Sequence, residues 1–260
     1  MNKIWIAVGL AGALTLAGCG GGEKTETKQG ETAAPAAATG ATPDLTNGAT
    51  ITGKVIFDGA KPVMKTIDMS ANPTCMNAHK SSPPKSEEVV VNDNGTLKNA
   101  FVWVKSGLPD GTTWQIPATT VELNQTGCMY DPHVIGIMAG QNIDIKNSDP
   151  TNHNIHPMPA INQEWNESQP PGSADKMQSF PRQEVMVPVK CQIHNWMRAY
   201  IGVVSHPFYA VTGSDGTFSL KGLPPGTYVI QAWQEKYGPQ EQTITVAAKD
   251  SKTADFTFKP

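Results

Sequence analysis

The sequence predicts an all-β fold of the β-sandwich kind. Short apolar runs rich in valine, isoleucine and aromatic residues recur along the chain, and each is closed by Gly, Pro, Asn or Asp. No stretch carries a helical period over three turns. The 24 glycines and 21 prolines supply the many turns that sandwiches need. After a polar N-terminal segment about 210 residues remain, enough for one large β domain or for a medium domain with a small companion.

The N-terminus has the pattern of an export signal. Lys3 precedes an apolar run of thirteen residues at 4–16. At about 1.5 Å per residue this helix would be about 20 Å long, too short for a hydrocarbon core of about 30 Å. The ending Leu-Ala-Gly-Cys19 resembles the lipobox of bacterial lipoproteins, which implies a signal peptide at 1–18 and a lipid on Cys19. A plain secretory signal is the alternative.

The lipobox resemblance also implies a location. Gly20 stands where an aspartate tends to retain lipoproteins at the inner membrane, so we expect a lipid anchor on the periplasmic side of the cell envelope, in the outer membrane if the cell has one. Residues 19–48 are predicted to be a disordered tether, because almost nothing in them is apolar beyond alanine. The net charge of −3 is weak and counts against nucleic acid as a partner.

From residue 49 onward, turn residues separate the predicted strands at the spacing typical of a β-sandwich. Asn94 and Gly95 predict a turn, since both tolerate a positive φ. The predicted strands are residues 50–57, 88–91, 100–104, 119–123, 134–138, 142–146, 184–189 and 199–204.

A cluster of metal-binding residue types follows one of these strands. Cys191, His194 and Met197 are spaced Cys-x2-His-x2-Met, so they cannot share one face of a helix or strand and are expected to converge from a curled loop. A thiolate and imidazole in a trigonal arrangement with a weak axial thioether are the ligands of a blue-copper electron-transfer site. A second imidazole is still needed. His153 is the better donor, and His156 is its rival.

The two motifs together resemble the cupredoxins, the plastocyanin- and amicyanin-like blue copper proteins. The resemblance lies in Asn-x-Asp-x3-His153-Asn154 and, about forty residues on, in the short ligand loop. It implies a Greek-key β-sandwich that holds one type 1 copper through His153, Cys191, His194 and, axially, Met197. It implies that Asn154 braces the loop from behind the ligands.

The resemblance also implies how the site works. Val187 stands where binuclear centres have a second cysteine, so one copper is expected. The ring edge of His194 is expected near solvent as the electron port, in a patch with Asn195, Trp196 and Pro132. The protein is then an electron carrier between redox proteins of the periplasm or respiratory chain. It is not expected to be an enzyme, because the other histidines form no cluster. A copper-storage lipoprotein and a surface-binding sandwich without metal remain alternatives.

Two cysteines remain after lipid and copper are assigned. Because an exported chain meets oxidising conditions, Cys75 and Cys128 are expected to form a disulfide. The alternative is a zinc site with His79 and His133, which follow the two cysteines.

The C-terminal residues 207–260 are predicted to form a second unit. Their strand, turn, strand, Pro-Gly turn, strand pattern resembles the carboxypeptidase regulatory-like (transthyretin-like) β-sandwich. The copper domain is then expected at 49–206. Residues 49–62 carry the opening pattern of the regulatory-like unit, so they belong either to that unit or to the copper domain. Pairing of 53–57 with copper-domain strands alone would exclude the first possibility.

Overall fold

The structure is a computed structural model that describes residues 40–260. The predicted signal peptide, the lipidation residue Cys19 and most of the tether lie outside these residues. In the described part nearly all regular structure is strand, so the all-β prediction is confirmed. None of the helices found there is long and apolar enough to cross a membrane.

Nineteen strands and one helix follow one another along the described chain. They are β1 (Ala49–Phe57), α1 (Pro73–Ala78), β2 (Val90–Val91), β3 (Leu97–Lys98), β4 (Phe101–Ser106), β5 (Val121–Thr126), β6 (Met129–Asp131), β7 (Val134–Met138), β8 (Asn142–Asn147), β9 (His153–Pro157), β10 (Glu167–Gln169), β11 (Lys176–Ser179), β12 (Glu184–Lys190), β13 (Arg198–Val204), β14 (Tyr209–Val211), β15 (Thr217–Leu223), β16 (Gly226–Gln234), β17 (Gly238–Val246), β18 (Ser251–Thr253) and β19 (Phe256–Phe258).

One sandwich, which we call the site sandwich, is formed by the middle of the chain. Its five-stranded sheet has the order β10-β9-β12-β13-β7, and its four-stranded sheet has the order β11-β8-β5-β6. Apolar side chains of both sheets, such as Leu123, Ile145 and Ile201, share one buried core. Successive strands change sheet, since β8 lies in one and β9 in the other, as in a Greek-key sandwich.

The second sandwich, which we call the terminal sandwich, joins both ends of the described chain. Its sheets are β15-β1-β18, with β19 also paired to β1, and β14-β4-β16-β17. Strand β1 pairs antiparallel with β15, where Ile51 lies opposite Leu220. It pairs in parallel with β19, where Val55 lies opposite Phe256. These four side chains are buried in the core that the two sheets share.

The strand pairing divides the chain differently from the predicted boundaries. Strand β1 pairs with terminal-sandwich strands, so the possibility that residues 49–62 belong to the C-terminal unit is the one that the pairing supports. Strand β4, predicted inside 49–206, pairs with β14 and β16 and is also part of the terminal sandwich. Local patterns predict strands, but they cannot tell which sheet a strand joins when its partner is more than a hundred residues away.

Helix α1 is too short to give a helical period in the sequence. It has only six residues, and its start is marked by Asn72, whose side chain caps the amides of Thr74 and Cys75, and by Pro73 in the first turn. A disulfide joins Cys75 to Cys128, the residue before β6. The bridge therefore holds α1 against the β5–β6 turn of the site sandwich.

Candidate metal centre

The structure brings three of the predicted ligands together. His153 begins β9, Cys191 directly follows β12, and His194 lies in the loop that leads to β13. Their ligand atoms all lie within 4.8 Å of one another. The Nδ1 atoms of the two histidines are 2.9 Å apart, and the Cys191 sulfur is 3.9 Å from Nδ1 of His194. All three side chains are buried, with at most 2% of each exposed.

Met197 closes the loop that carries two of these residues. The Met197 amide donates to the His194 carbonyl at 3.0 Å, and the Cys191 amide donates to the Met197 carbonyl at 3.3 Å. The Met197 side chain is fully buried in the same core as Cys191. The loop is thus curled tightly, as its Cys-x2-His-x2-Met spacing predicts.

Asn154 contacts Cys191 and the residue after it, as expected for a residue that holds the ligand loop in place. Its side-chain oxygen accepts from the Gln192 amide at 2.7 Å and lies 3.3 Å from the Cys191 sulfur. Its side-chain nitrogen donates to Asn166 at 2.7 Å, and Asn166 donates to the Gln192 side chain. This network ties the start of the ligand loop to β9, the strand that carries His153.

His153 is held from its far side by a carboxylate that the sequence analysis did not assign. Nε2 of His153 lies 2.8 Å from Asp149, whose two oxygens also accept from the amides of Gly127 and Cys128 at 2.7 Å. A carboxylate on the second nitrogen is the usual means of orienting a metal-binding histidine. The signal was present in the sequence, because Asp149 is the aspartate of the Asn-x-Asp-x3-His motif.

The same contacts change the proton affinities of the buried groups. Burial alone would raise the pKa of Cys191, but hydrogen bonds from His153 and from backbone amides of the loop outweigh it and lower the pKa. Burial alone would lower the pKa of His153, but its hydrogen bonds to Asp149 and Cys191 outweigh burial and raise it. The lowered pKa favours the thiolate of Cys191, which is the form that binds a metal cation, whereas the raised pKa of His153 means that protons compete with a metal for this ring.

The outer side of His194 contradicts one expectation. His194 is only 1% exposed, so its ring edge is not the solvent-facing electron port that the resemblance implied. Its Nε2 lies 2.7 Å from the Asn72 side-chain nitrogen and 3.6 Å from the Cys75 sulfur, and its ring packs against Trp196. Cys75 belongs to α1 and Asn72 is its cap, and the Asn72 contact joins residues 122 positions apart, which no local pattern reveals.

The rival for the first ligand lies elsewhere. His156 contacts Glu164 through one ring nitrogen and the Gln192 side chain through the other, and it does not belong to the cluster of ligand atoms. Val187, at the position of a second cysteine in binuclear centres, is buried in the core of the site sandwich. Within residues 40–260 the ligand loop thus brings one thiol to this cluster.

The structure contains the expected disulfide. Cys75 and Cys128 are bonded to each other, which removes them as ligands. His79 contacts the Gly127 carbonyl, and His133 contacts Glu235. The proposed zinc site is therefore wrong, because its two thiols are joined and its two histidines bind other groups.

The donor set of the remaining cluster fits copper. Two imidazole nitrogens and a sulfur face one another in a buried space, and the thioether of Met197 is buried in the same core. Soft sulfur donors together with imidazole select copper over hard cations such as magnesium or calcium. The residues that can hold the ion are His153, Cys191, His194 and Met197.

Comparison with known proteins gives a family match for one segment. The carboxypeptidase regulatory-like domain family matches residues 199–259, a range that begins in β13 and covers most of the terminal sandwich after β4. The comparison with curated proteins finds no match.

Among the solved structures that match part of this chain are an amicyanin, a purple cupredoxin and a copper-containing nitrite reductase. A Cu(I) structure of an amicyanin variant is 14% identical, covers 39% of this chain and 97% of its own, and has a TM-score of 0.29. A purple cupredoxin from Nitrosopumilus maritimus is 17% identical, covers 32% and 98%, and has a TM-score of 0.28. The copper-containing nitrite reductase from Thermus scotoductus SA-01 is 16% identical, with a TM-score of 0.31. That match covers 38% of this chain and only a quarter of the reductase.

These scores are low, and the metal site is supported by the side chains described above. The C-terminal segment matches the regulatory-like family, which confirms that resemblance. Cupredoxins are among the structural neighbours. The chain is an all-β protein with cupredoxin neighbours and a carboxypeptidase regulatory-like segment.

Proposed function

We propose that this chain binds one copper ion of type 1 and carries single electrons. The observation that supports this most is the convergence of the two Nδ1 atoms and the Cys191 sulfur in a buried space, with His153 and His194 held from opposite sides. Met197, which is buried in the same core as Cys191, would complete the ligand set. Bound copper would supply a one-electron couple.

The surrounding residues are suited to holding such a couple in one geometry. Asn154 fixes the loop next to Cys191, and Asp149 fixes the ring of His153. The lowered pKa of Cys191 favours the thiolate, whose ligation gives the site its electron-transfer character. Ligands that are held in place before the metal binds move little when copper changes its oxidation state. Little movement permits fast electron transfer.

The burial of His194 determines where electrons can leave. Since the ring is covered, an electron has to cross one layer of protein to reach a partner. Trp196 is part of that layer, because it packs on His194 at a ring-centroid distance of 5.2 Å and is itself only half-buried. Asn195 beside it is exposed. We place the docking face for redox partners at these two residues.

The same burial favours a second candidate, a copper store that exchanges no electrons. A store benefits from a covered ligand, whereas a carrier needs a short path to its partner. Repeated oxidation and reduction distinguishes them, since a carrier keeps its copper through each cycle and exchanges electrons with a second loaded molecule. Loss of copper on reduction would favour the store.

The location and partners are part of the proposal. A lipid on Cys19 would anchor the protein at the periplasmic side of the cell envelope, and the tether would let the site reach redox proteins there. We propose no catalytic reaction for the chain. The terminal sandwich is proposed to act as scaffold or docking surface.

Titration of the protein with Cu(II), followed by visible and paramagnetic-resonance spectra, tests the site. One equivalent is expected to give an intense thiolate-to-copper charge-transfer band. Cys191→Ser and His153→Ala should abolish it, whereas His156→Ala, which removes a histidine three residues away and outside the cluster, should keep it. A colourless protein with Cys191 free and reactive would contradict the proposal.

A further inference from the structure

Asn72 makes two contacts that constrain each other. Its side-chain oxygen accepts from the Thr74 amide at 3.1 Å and from the Cys75 amide at 3.2 Å, as the cap of α1. Its side-chain nitrogen lies 2.7 Å from Nε2 of His194. Because the oxygen is occupied by two helix amides, the group that faces His194 is the NH₂, which can only donate.

This contact decides where the neutral His194 ring carries its proton. Nε2 has to accept from Asn72, so the proton lies on Nδ1. When both rings are neutral, Nδ1 of His153 does not donate to Cys191 but accepts from Nδ1 of His194, which is 2.9 Å away. The proton of His153 is then on Nε2, where it is donated to Asp149 at 2.8 Å. Every nitrogen in this chain of contacts has a partner when both rings are neutral.

The two rings therefore differ in their readiness to bind a metal through Nδ1. His153 carries no proton on Nδ1, so its lone pair, which accepts from His194, is available to a metal. His194 offers no such lone pair, because its Nδ1 carries the proton. If Nδ1 of His194 is to be a ligand, the neutral ring has to carry that proton on Nε2, where it would point at the Asn72 NH₂. Two donors would then face each other beside a His194 ring that is only 1% exposed.

We infer that Asn72 is a positioning residue that couples α1 to the candidate copper centre. Resting on the function proposed above, it holds the metal-free His194 ring with its proton on Nδ1. When Nδ1 becomes a ligand, the Asn72 side chain turns its oxygen toward Nε2–H. The amides of Thr74 and Cys75 then lose their cap, while the Cys75–Cys128 bridge keeps α1 attached.

The consequence is that the outer face of the protein differs between metal-free and metal-bound forms. Met76 and Asn77 on α1 are exposed, and α1 lies directly over His194. Release of the cap would loosen the first turn of this helix. A partner that contacts α1 could therefore distinguish the loaded protein from the empty one.

The position of the proton can be measured without any metal. Long-range ¹H–¹⁵N NMR spectra of the metal-free full chain, recorded above the pKa of both rings, are expected to show His194 protonated on Nδ1 and His153 on Nε2. A metal-free His194 protonated on Nε2 would overturn the inference. This result does not depend on whether the proposed function is correct.

Substitution of Asn72 tests the coupling to the metal. Serine caps a helix about as well as asparagine but has no NH₂ group to place against Nε2. Asn72→Ser is therefore expected to bind Cu(I) about tenfold more tightly than the unaltered chain. Asn72→Asp keeps the cap and offers an acceptor to Nε2–H, so it should bind at least as tightly as the serine variant.

A charge control accompanies the aspartate variant. Asn195→Asp adds the same charge next to His194 in the chain, at an exposed position. It should gain less affinity than Asn72→Asp. An Asn72→Ser variant that binds Cu(I) no more tightly than the unaltered chain would overturn the inference. Failure of every variant to bind Cu(I) would overturn the proposed function, whereas the metal-free NMR result would still decide the role of Asn72.

Loss of the cap is visible in the helix itself. In the unaltered chain, Cu(I) is expected to speed hydrogen exchange of the Thr74 and Cys75 amides, because their acceptor turns away. In Asn72→Ser the same addition should leave both amides protected, since the serine cap is not needed by His194. Equal protection of these amides with and without Cu(I) in the unaltered chain would contradict the coupling.

Discussion

The two histidines of the candidate centre lie in differently organised surroundings. On the inner side, His153 is oriented by Asp149, and that carboxylate is anchored to amides of the same sandwich. On the outer side, His194 is covered by Asn72 and by a disulfide that attaches a short helix from a distant part of the chain. We call the surroundings of His153 the inner half of the site and those of His194 the outer half. The inner half is arranged to hold a metal, whereas the outer half is arranged to cover it.

The largest expected effect is the loss of stability when the disulfide that attaches α1 over His194 is removed. The Cys75–Cys128 bridge spans 53 residues, so replacing both cysteines by serine is expected to lower the free energy of unfolding by about 4 kcal/mol. Chemical denaturation measures this change. Met76→Ser, an exposed substitution on the same helix, should change the stability by no more than about 0.5 kcal/mol.

The inner half should survive this change. Because Asp149 binds backbone amides and not the cysteine sulfurs, the His153–Asp149 contact is expected to persist in the double serine variant. NMR spectra of the histidine ring nitrogens report on it. Loss of that contact together with the bridge would show that the two halves are not independent.

A smaller effect is expected from weakening the inner half. Asp149→Ala removes the carboxylate that orients His153, so the affinity for copper should fall about ten- to a hundredfold. Competition with a chelator of known affinity measures it. Asp144→Ala removes a carboxylate on β8 that contacts Lys146, and it should leave the affinity unchanged. Equal losses of copper affinity in the two variants would contradict a specific role of Asp149 in orienting His153.

Much of the inner half could be predicted from the sequence. The ligand loop, His153 and the bracing Asn154 all belong to short motifs whose spacing carries their chemistry. The outer half could not be predicted, because Asn72 meets His194 across 122 residues and α1 is too short to give a helical period. The assignment of β4 to the terminal sandwich was beyond local patterns for the same reason, whereas the opening pattern at 49–62 offers that assignment for β1 as one of two possibilities. Strand patterns show which residues are buried but not which distant strand they pair with.

The smallest expected effect is on the pH dependence of the metal-free protein. The pKa of Asp149 is lowered from its usual 3.8, because hydrogen bonds from His153, Cys128 and Gly127 outweigh burial. Its contribution to stability is present above 3.8 and is lost as the pH falls through the lowered pKa. The pKa of His153 is raised from 6.5, so its contribution is present below 6.5 and is lost as the pH rises through the raised pKa.

Stability of the metal-free protein should therefore be greatest between the two shifted pKa values. Both groups are buried and contact each other, so both edges of the profile report on this one pair. Thermal unfolding across the pH range measures the profile. Asp149→Asn is expected to flatten both edges, because it removes one charge of the pair and the cause of the other shift. An unchanged profile in that variant would assign the pH dependence to other groups.

X-ray absorption at the copper edge, on the full chain loaded with one equivalent of Cu(I), tests the central claim most directly. The account predicts two nitrogen neighbours and one short sulfur neighbour, with the short sulfur lost in Cys191→Ser and one nitrogen lost in His153→Ala. A shell of nitrogen and oxygen alone, or a spectrum that Cys191→Ser leaves unchanged, would contradict a copper site built from these residues.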